Sequence, residues 1–207
     1  MLSFLALGIV LGLSAGLAPG PVLTLVISET LQHGARAGMK VAIAPLLTDA
    51  PLILLTLALL SRLAELDGVL GVLSLAGGGF VSFLGWRTLG TQGVRLDGEA
   101  PASRSLTKGM LANLLSPHPY LFWSSVGAPI MAKAMSQSPG ALLVFLISFY
   151  ALLVGAKIAL ALLVGRSRAF MSGRVYLYTL RGLGLVLMVL GLVLMYEGGV
   201  WLGWIDG

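Results

Sequence analysis

Two proline pairs interrupt otherwise apolar stretches of this chain, Pro19-Gly20-Pro21 and Pro117-His118-Pro119. Proline has no backbone N–H and its ring collides with the carbonyl one turn earlier, so each pair is expected to break a helix. Lipid cannot satisfy the backbone groups that a break frees, so a break is tolerated only inside protein or beside a wet cavity. The pairs begin at positions 19 and 117, close to half of the 207 residues apart. Matching breaks in two halves are typical of membrane proteins built from a repeat.

The composition indicates a membrane protein. Hydrophobic residues make up 57% of the sequence and charged residues 10%, whereas about 25% of a typical soluble domain is charged. Because about 20 apolar residues can cross a bilayer, the sequence predicts an all-α integral membrane protein with one transmembrane domain over residues 1–207. The first and fourth of its six predicted spans are broken at the proline pairs, and the spans lie at about 3–31, 37–60, 68–90, 106–132, 140–164 and 176–197.

The basic residues are distributed unevenly between the two sides of the predicted spans. Only Arg62 and Lys133 lie on one side, and the other side carries Arg36, Lys40, Arg87, Arg95, Arg104, Lys108, Arg166, Arg168, Arg174 and Arg181. The positive-inside rule places the richer side in the cytoplasm and both termini outside. A basic inner surface accounts for the net charge of +5 without a nucleic-acid partner.

Each half of the chain contains three predicted spans, an odd number, so the second half enters the membrane in the opposite sense. The sequence therefore predicts a 3+3 inverted repeat. The first repeat covers about 1–90, a cytoplasmic linker covers about 91–105, and the second repeat covers about 106–207.

Glycines recur every four residues along the first span, at Gly8, Gly12, Gly16 and Gly20. Small residues on one helix face allow close helix approach. The pattern indicates tight packing within the chain, with a sliding or dimerising surface as the alternative. A homodimer is compatible with either.

Asp49 is the only acidic residue well inside a predicted span, and Pro45 and Pro51 flank it. A charge at that depth costs roughly 2.5–3.5 kcal/mol on insertion scales and usually faces an interior path. The functional interpretation is a site for a substrate amine or a proton. The structural alternative is a partner for Lys157 or for a backbone amide.

Lys157 lies inside the fifth predicted span, close enough to the cytoplasmic end to snorkel. Snorkelling would give it no function. The two functional alternatives are an ion pair with Asp49 that takes part in coupling, and contact with a substrate carboxylate.

Polar side chains also cluster at the second break. Asn113 and Ser116 share a helical face and could bond groups that Pro117 frees, which is a structural role. His118 has the ordinary pKa range that suits proton coupling. The predicted substrate-binding set is Pro19, Gly20, Pro21, Asp49, Asn113, Ser116, Pro117 and His118.

The sequence shows no constellation for enzymatic chemistry. It has no cysteine and only two histidines, far apart, which falls short of a metal cluster. It also has no Gly-x-x-x-x-Gly-Lys phosphate loop. We therefore expect no enzyme, no cofactor and no ATP hydrolysis within the chain, and any active transport would use an ion gradient.

Four segments, in order along the chain, resemble the LysE/RhtB family of amino-acid exporters. They are Gly16-Leu-Ala-Pro-Gly-Pro21, His33-Gly-Ala-Arg-Ala-Gly38, Phe83-Leu-Gly-Trp-Arg87 and Lys108-Gly-Met-Leu-Ala-Asn-Leu-Leu-Ser-Pro117. The resemblance implies six helices and export of amino acids or similar small metabolites, driven by an ion gradient.

Two positions depart from the family pattern. Val22 follows the first Gly-Pro where the family often has Asn, and His118 follows Pro117 where it often has Lys, so the chain resembles a divergent member whose substrate need not be the usual one.

The leading hypothesis is a secondary exporter in the bacterial inner membrane that moves amino acids or related small metabolites. Alternating access would take place around a central site where the two broken helices meet. One alternative is a cation transporter or channel that uses Asp49 and exposed backbone carbonyls. Another is a non-transporting membrane scaffold.

Overall fold

The computed structural model describes residues 1–59, 67–90, 104–168 and 173–205. All secondary structure in these residues is helical. In chain order the helices are α1 (Leu2–Leu17), α2 (Pro21–His33), α3 (Ala35–Leu59), α4 (Asp67–Leu89), α5 (Ser105–Leu114), α6 (Pro117–Phe122), a π-helical turn (Trp123–Gly127), α7 (Ala128–Gln137), α8 (Pro139–Arg168) and α9 (Gly173–Trp201). The predicted linker at 91–105 lies outside the described residues except for its last two.

Both predicted helix breaks are confirmed. The axes of α1 and α2 differ by 60°, and Pro21 is the first residue of α2. In the fourth predicted span α5 ends at Leu114 and α6 begins at Pro117. Each break ends with a proline that opens the next helix, because the first helical position needs no N–H donor.

Three described helices are long and apolar enough to cross a membrane, within Ala35–Leu54, Pro139–Ser167 and Leu177–Trp201. The bent pair α1 and α2 makes a fourth span if it is counted as one. An all-helical membrane protein is therefore confirmed. The six-span count and the inverted repeat stay predictions.

The glycine face of α1 is used inside the chain. Methyl groups added to Gly8, Gly12 and Gly16 would collide with the backbone of α8 around Phe145–Leu153. Gly20, in contrast, has no atom close enough to meet an added methyl group. Tight internal packing thus explains the first three glycines, and they give no separate support to a dimer.

A second glycine pattern joins α4 to α9, which run antiparallel. Glycines at every seventh position of each helix meet in three pairs: Gly71 with Gly198, Gly78 with Gly191, and Gly85 with Gly184. A methyl group on one member of each pair would lie 2.9 Å or less from the carbonyl oxygen of the other. The two backbones are therefore in direct contact along most of their length. Gly77, beside this seam, packs against the backbone of Leu115 at the second break.

The seam gives a test with a control on the same helix. In Gly191→Ala the added methyl group would lie 2.7 Å from the Gly78 carbonyl oxygen, so we expect α9 to shift and the free energy of unfolding in detergent to fall by about 1–3 kcal/mol. Gly182 has no atom near an added methyl group, and Gly182→Ala should stabilise the helix by about 0.5–1 kcal/mol. Equal effects of the two changes on chemical denaturation would contradict this packing.

Candidate functional site

The two helix breaks line one cavity of about 520 Å³, together with residues from α1, α3, α8 and α9. The structure thereby brings together nearly all the predicted site residues. Those on the cavity wall are Pro19, Gly20, Pro21, Asp49, Asn113, Ser116, His118 and Lys157. Pro117 is buried beside the cavity and does not line it.

Asp49 joins three helices at the cavity wall, although its side chain is only 4% exposed. Its Oδ1 atom accepts a hydrogen bond of 2.7 Å from Asn113 Nδ2 of α5. Its Oδ2 atom accepts one of 3.3 Å from the Tyr150 hydroxyl of α8. Asn113 Nδ2 also donates to Thr48 Oγ1 over 2.7 Å. The carboxylate is held in a fixed position and still has acceptor capacity left, because a carboxylate can accept about four hydrogen bonds.

Lys157 caps the broken end of α1. Its Nζ atom donates hydrogen bonds of 3.0 Å to the carbonyls of both Ala15 and Gly16. Pro19 cannot donate to the Ala15 carbonyl one turn earlier, and the break at Gly20 removes the usual partner of Gly16. The ammonium replaces these partners and lies where the helix dipole is negative.

Lys157 and Asp49 line the same cavity, but no ion pair joins them in the part of the chain that the structure describes. Snorkelling does not describe Lys157 either, because its side chain is 4% exposed and directed to α1. Sequence reasoning did not anticipate the capping role. Roles of either residue in coupling stay predictions.

Side chains also satisfy polar groups at the second break. The Tyr120 hydroxyl donates to the Leu114 carbonyl over 2.9 Å at the end of α5. Ser116 Oγ lies 3.1 Å from His118 Nδ1, within hydrogen-bond distance. The break is thus held together internally, and His118 still lines the cavity.

Sequence reasoning missed several cavity residues. Phe122, Trp123 and Phe149 form an aromatic wall, with the Trp123 and Phe149 ring centroids 5.3 Å apart. Tyr150 is not on the cavity wall but donates a hydrogen bond to Asp49. It could have been found, because it precedes Lys157 by two helical turns and so shares its face. Glu197 also lines the cavity. Its place at the end of a predicted span gave no sign that it points inward.

A buried ionic cluster joins α2 to α5 and was also missed. Glu29 is 2% exposed, forms an ion pair with Lys108 and accepts a hydrogen bond of 2.6 Å from Ser105 Oγ. His33 Nδ1 lies 3.3 Å from the same carboxylate. The partners come from different halves of the chain, so the sequence alone does not pair them.

The cap on α1 leads to a matched pair of lysine changes. Lys157→Met leaves two buried carbonyls without partners, so we expect the free energy of unfolding in detergent to fall by about 1–3 kcal/mol. Lys133 is exposed on α7, and Lys133→Met should change it by less than about 0.5 kcal/mol. If chemical denaturation gave the same value for Lys157→Met as for wild type, the capping role would be wrong.

The Glu29 cluster predicts a non-additive pair. Lys108→Met leaves a buried carboxylate without its cation and should destabilise the protein by about 3 kcal/mol. Adding Glu29→Gln removes the uncompensated charge, so the double variant should recover most of that loss. Unfolding of the wild type, both single variants and the double variant forms a complete cycle. If the losses in free energy of unfolding of the two single variants simply added in the double variant, Glu29 and Lys108 would not be coupled.

Comparison with known proteins gives one match. No curated protein and no solved structure matches the chain. A family model described as LysE type translocator matches residues 13–198. The matched region contains both breaks, Asp49, Lys157 and Glu197, and it covers most of the chain. The resemblance predicted from the four sequence segments is thereby confirmed, and the chain belongs to the LysE type translocator family.

Proposed function

We propose that this membrane protein is a secondary exporter of amino acids or related small metabolites. Membership of a translocator family supports transport rather than catalysis. The observation that carries the proposal is the cavity of about 520 Å³, where both helix breaks meet two buried charged side chains. Such charges at membrane depth mark substrate or ion paths.

Asp49 has the chemistry to bind the amine of the substrate. It is a buried acceptor that already receives hydrogen bonds from Asn113, Tyr150 and Trp123, and a substrate ammonium would add a further one. Backbone groups exposed at Pro19–Pro21 and near Ser116 would hold further polar atoms. The apolar and aromatic wall would enclose the rest of the molecule, as is usual in small-molecule sites.

Helix packing supports the inverted repeat that alternating access would use. If α1, α2, α3 and α4 correspond to α5, α7, α8 and α9, the contacts of a two-fold repeat should occur in matched pairs. Several do, whereas the contacts of α5 with α2 and with α4 have no counterpart of similar extent among the described helices. α1 packs on α8 and α5 packs on α3. The contact of α2 with α3 likewise matches that of α7 with α8. The contacts of α4 with α9 and of α3 with α8 each join two corresponding helices, so the repeat maps each contact onto itself. Rocking of one repeat against the other would expose the cavity to each side in turn.

The distribution of basic residues supports an inner-membrane location with both termini outside. In this orientation the Glu29 cluster lies toward the cytoplasm. An ion gradient would then drive efflux. For the cation transporter or channel we find no favouring observation, since no three His, Cys, Asp or Glu side chains among the described residues are grouped to hold a metal ion.

Asp49→Asn tests the proposal. The change keeps the shape of the side chain and removes its charge, so the loss of a charged hydrogen bond, worth about 1.5–3 kcal/mol, should slow efflux about 10- to 100-fold. The measurement is efflux of a mixed pool of amino acids and primary amines from loaded proteoliposomes. Insertion and folding should be unchanged, as judged by size-exclusion chromatography.

The control exchanges the acid and the amide. Asn113 Nδ2 is 2.7 Å from Asp49 Oδ1, so the double variant Asp49→Asn and Asn113→Asp returns one carboxylate to almost the same place. We expect it to recover part of the efflux that Asp49→Asn loses. Wild-type efflux rates in Asp49→Asn would refute the assignment of Asp49.

A further inference from the structure

The cavity has an excess of negative charge. Four ionisable side chains line it: Asp49, His118, Lys157 and Glu197. Two of them are carboxyl groups and one is a lysine, so acidic side chains outnumber lysines by one. A bound group with one positive charge would cancel this excess, whereas a zwitterion would leave it unchanged. Because the walls are mostly apolar, an uncancelled charge is costly.

The cavity also lacks an uncommitted cation for a substrate carboxylate. Lys157 already donates two of its three N–H groups to the Ala15 and Gly16 carbonyls, and moving the ammonium fully to a carboxylate would leave the end of α1 uncapped. His118 is the other basic side chain on the wall, and its Nδ1 lies within hydrogen-bond distance of Ser116 Oγ. No arginine of the described residues lines the cavity.

Prolines reduce the anion-binding capacity of the two helix starts at the cavity. A helix N-terminus normally binds a carboxylate through its free N–H groups. Pro21 occupies the first position of α2, and Pro117 and Pro119 occupy the first and third positions of α6. Each of these residues has no N–H to offer. Next to Pro21, the wall continues with the apolar side chain of Val22.

A positively charged ligand, in contrast, would find several partners in the cavity. Glu197 of α9 has no hydrogen-bond or ion-pair partner among the described residues. Asp49 keeps acceptor capacity beyond its hydrogen bonds from Asn113, Tyr150 and Trp123. Phe122, Trp123 and Phe149 present aromatic rings, and the faces of such rings attract ammonium groups.

We propose, on the basis of the proposed function, that the transported compounds are apolar primary amines without a carboxylate. The carboxyl groups of Asp49 and Glu197 attract the ammonium group into the cavity, and the aromatic wall binds the apolar body. Glu197 is then a specificity-determining residue. The parent amino acid of the same amine is disfavoured because its carboxylate finds no free cation.

The test compares amines with the amino acids that differ from them by one carboxylate. The probes are 2-phenylethylamine against L-phenylalanine, and isoamylamine against L-leucine. Binding to the purified full-length protein is measured by calorimetry and by thermal stabilisation. We expect each amine to bind at least about tenfold more tightly than its parent, because a buried carboxylate without a charged partner forfeits that much or more.

Three variants locate the preference. Glu197→Gln should weaken binding of both amines about tenfold, whereas Tyr196→Phe, at the exposed neighbouring residue, should leave it unchanged. His118→Lys supplies the missing cation and should raise the affinity for L-phenylalanine relative to 2-phenylethylamine. Should Glu197→Gln fail to fold, Glu197→Asp keeps the charge and should retain the amine preference.

Comparable affinity for an amine and its parent amino acid, or no binding of either amine, would overturn the inference. Amino acids that bind and leave loaded proteoliposomes would overturn it while the exporter proposal stands. Amines that bind tightly and are not released would support the inference about the cavity and refute the exporter proposal. The two failures are therefore distinguishable.

Discussion

Hydrogen bonding of backbone groups where lipid offers none is the constraint on which this structure depends. Each proline pair removes N–H donors from the middle of an apolar stretch, and the protein has to supply replacements. At the first break the replacement is the ammonium of Lys157, which reaches across from α8 to two carbonyls of α1. At the second it is the hydroxyl of Tyr120. The first break is thus completed by a side chain from a remote part of the chain, and the second by a side chain six residues away.

The cavity follows from the same arrangement. Helices that change direction by 60° cannot fill the space at the bend, and the groups recruited to the breaks lie around the space that is left. Asp49, Asn113 and Tyr150 come from three different helices and meet there. The site and the structural repair of the broken helices are therefore made of overlapping residues.

The sequence predicts the helices of this fold well, because apolar length and proline are local signals. The predicted spans agree with the helices to within a few residues, and both breaks occur where the proline pairs stand. It also indicates most of the cavity, because Asp49 and Lys157 are conspicuous in apolar surroundings. The sequence does not predict which side chains bond to one another across helices. Which carbonyl Lys157 bonds, and that Glu29 meets Lys108, depend on how remote helices pack. Glu197 was missed because the end of a span gives no depth or direction. The glycine seam was missed because its partners lie on two helices that are remote in sequence.

The contact of Gly77 with Leu115 makes the two helix breaks mechanically unequal. The second break packs against α4, which is itself in backbone contact with α9, so movement at this break would have to carry both helices along. The first break has free space at Gly20, where no atom of the described residues would meet an added methyl group. We therefore expect the first break to act as the hinge, with the larger rotation concentrated between α1 and α2.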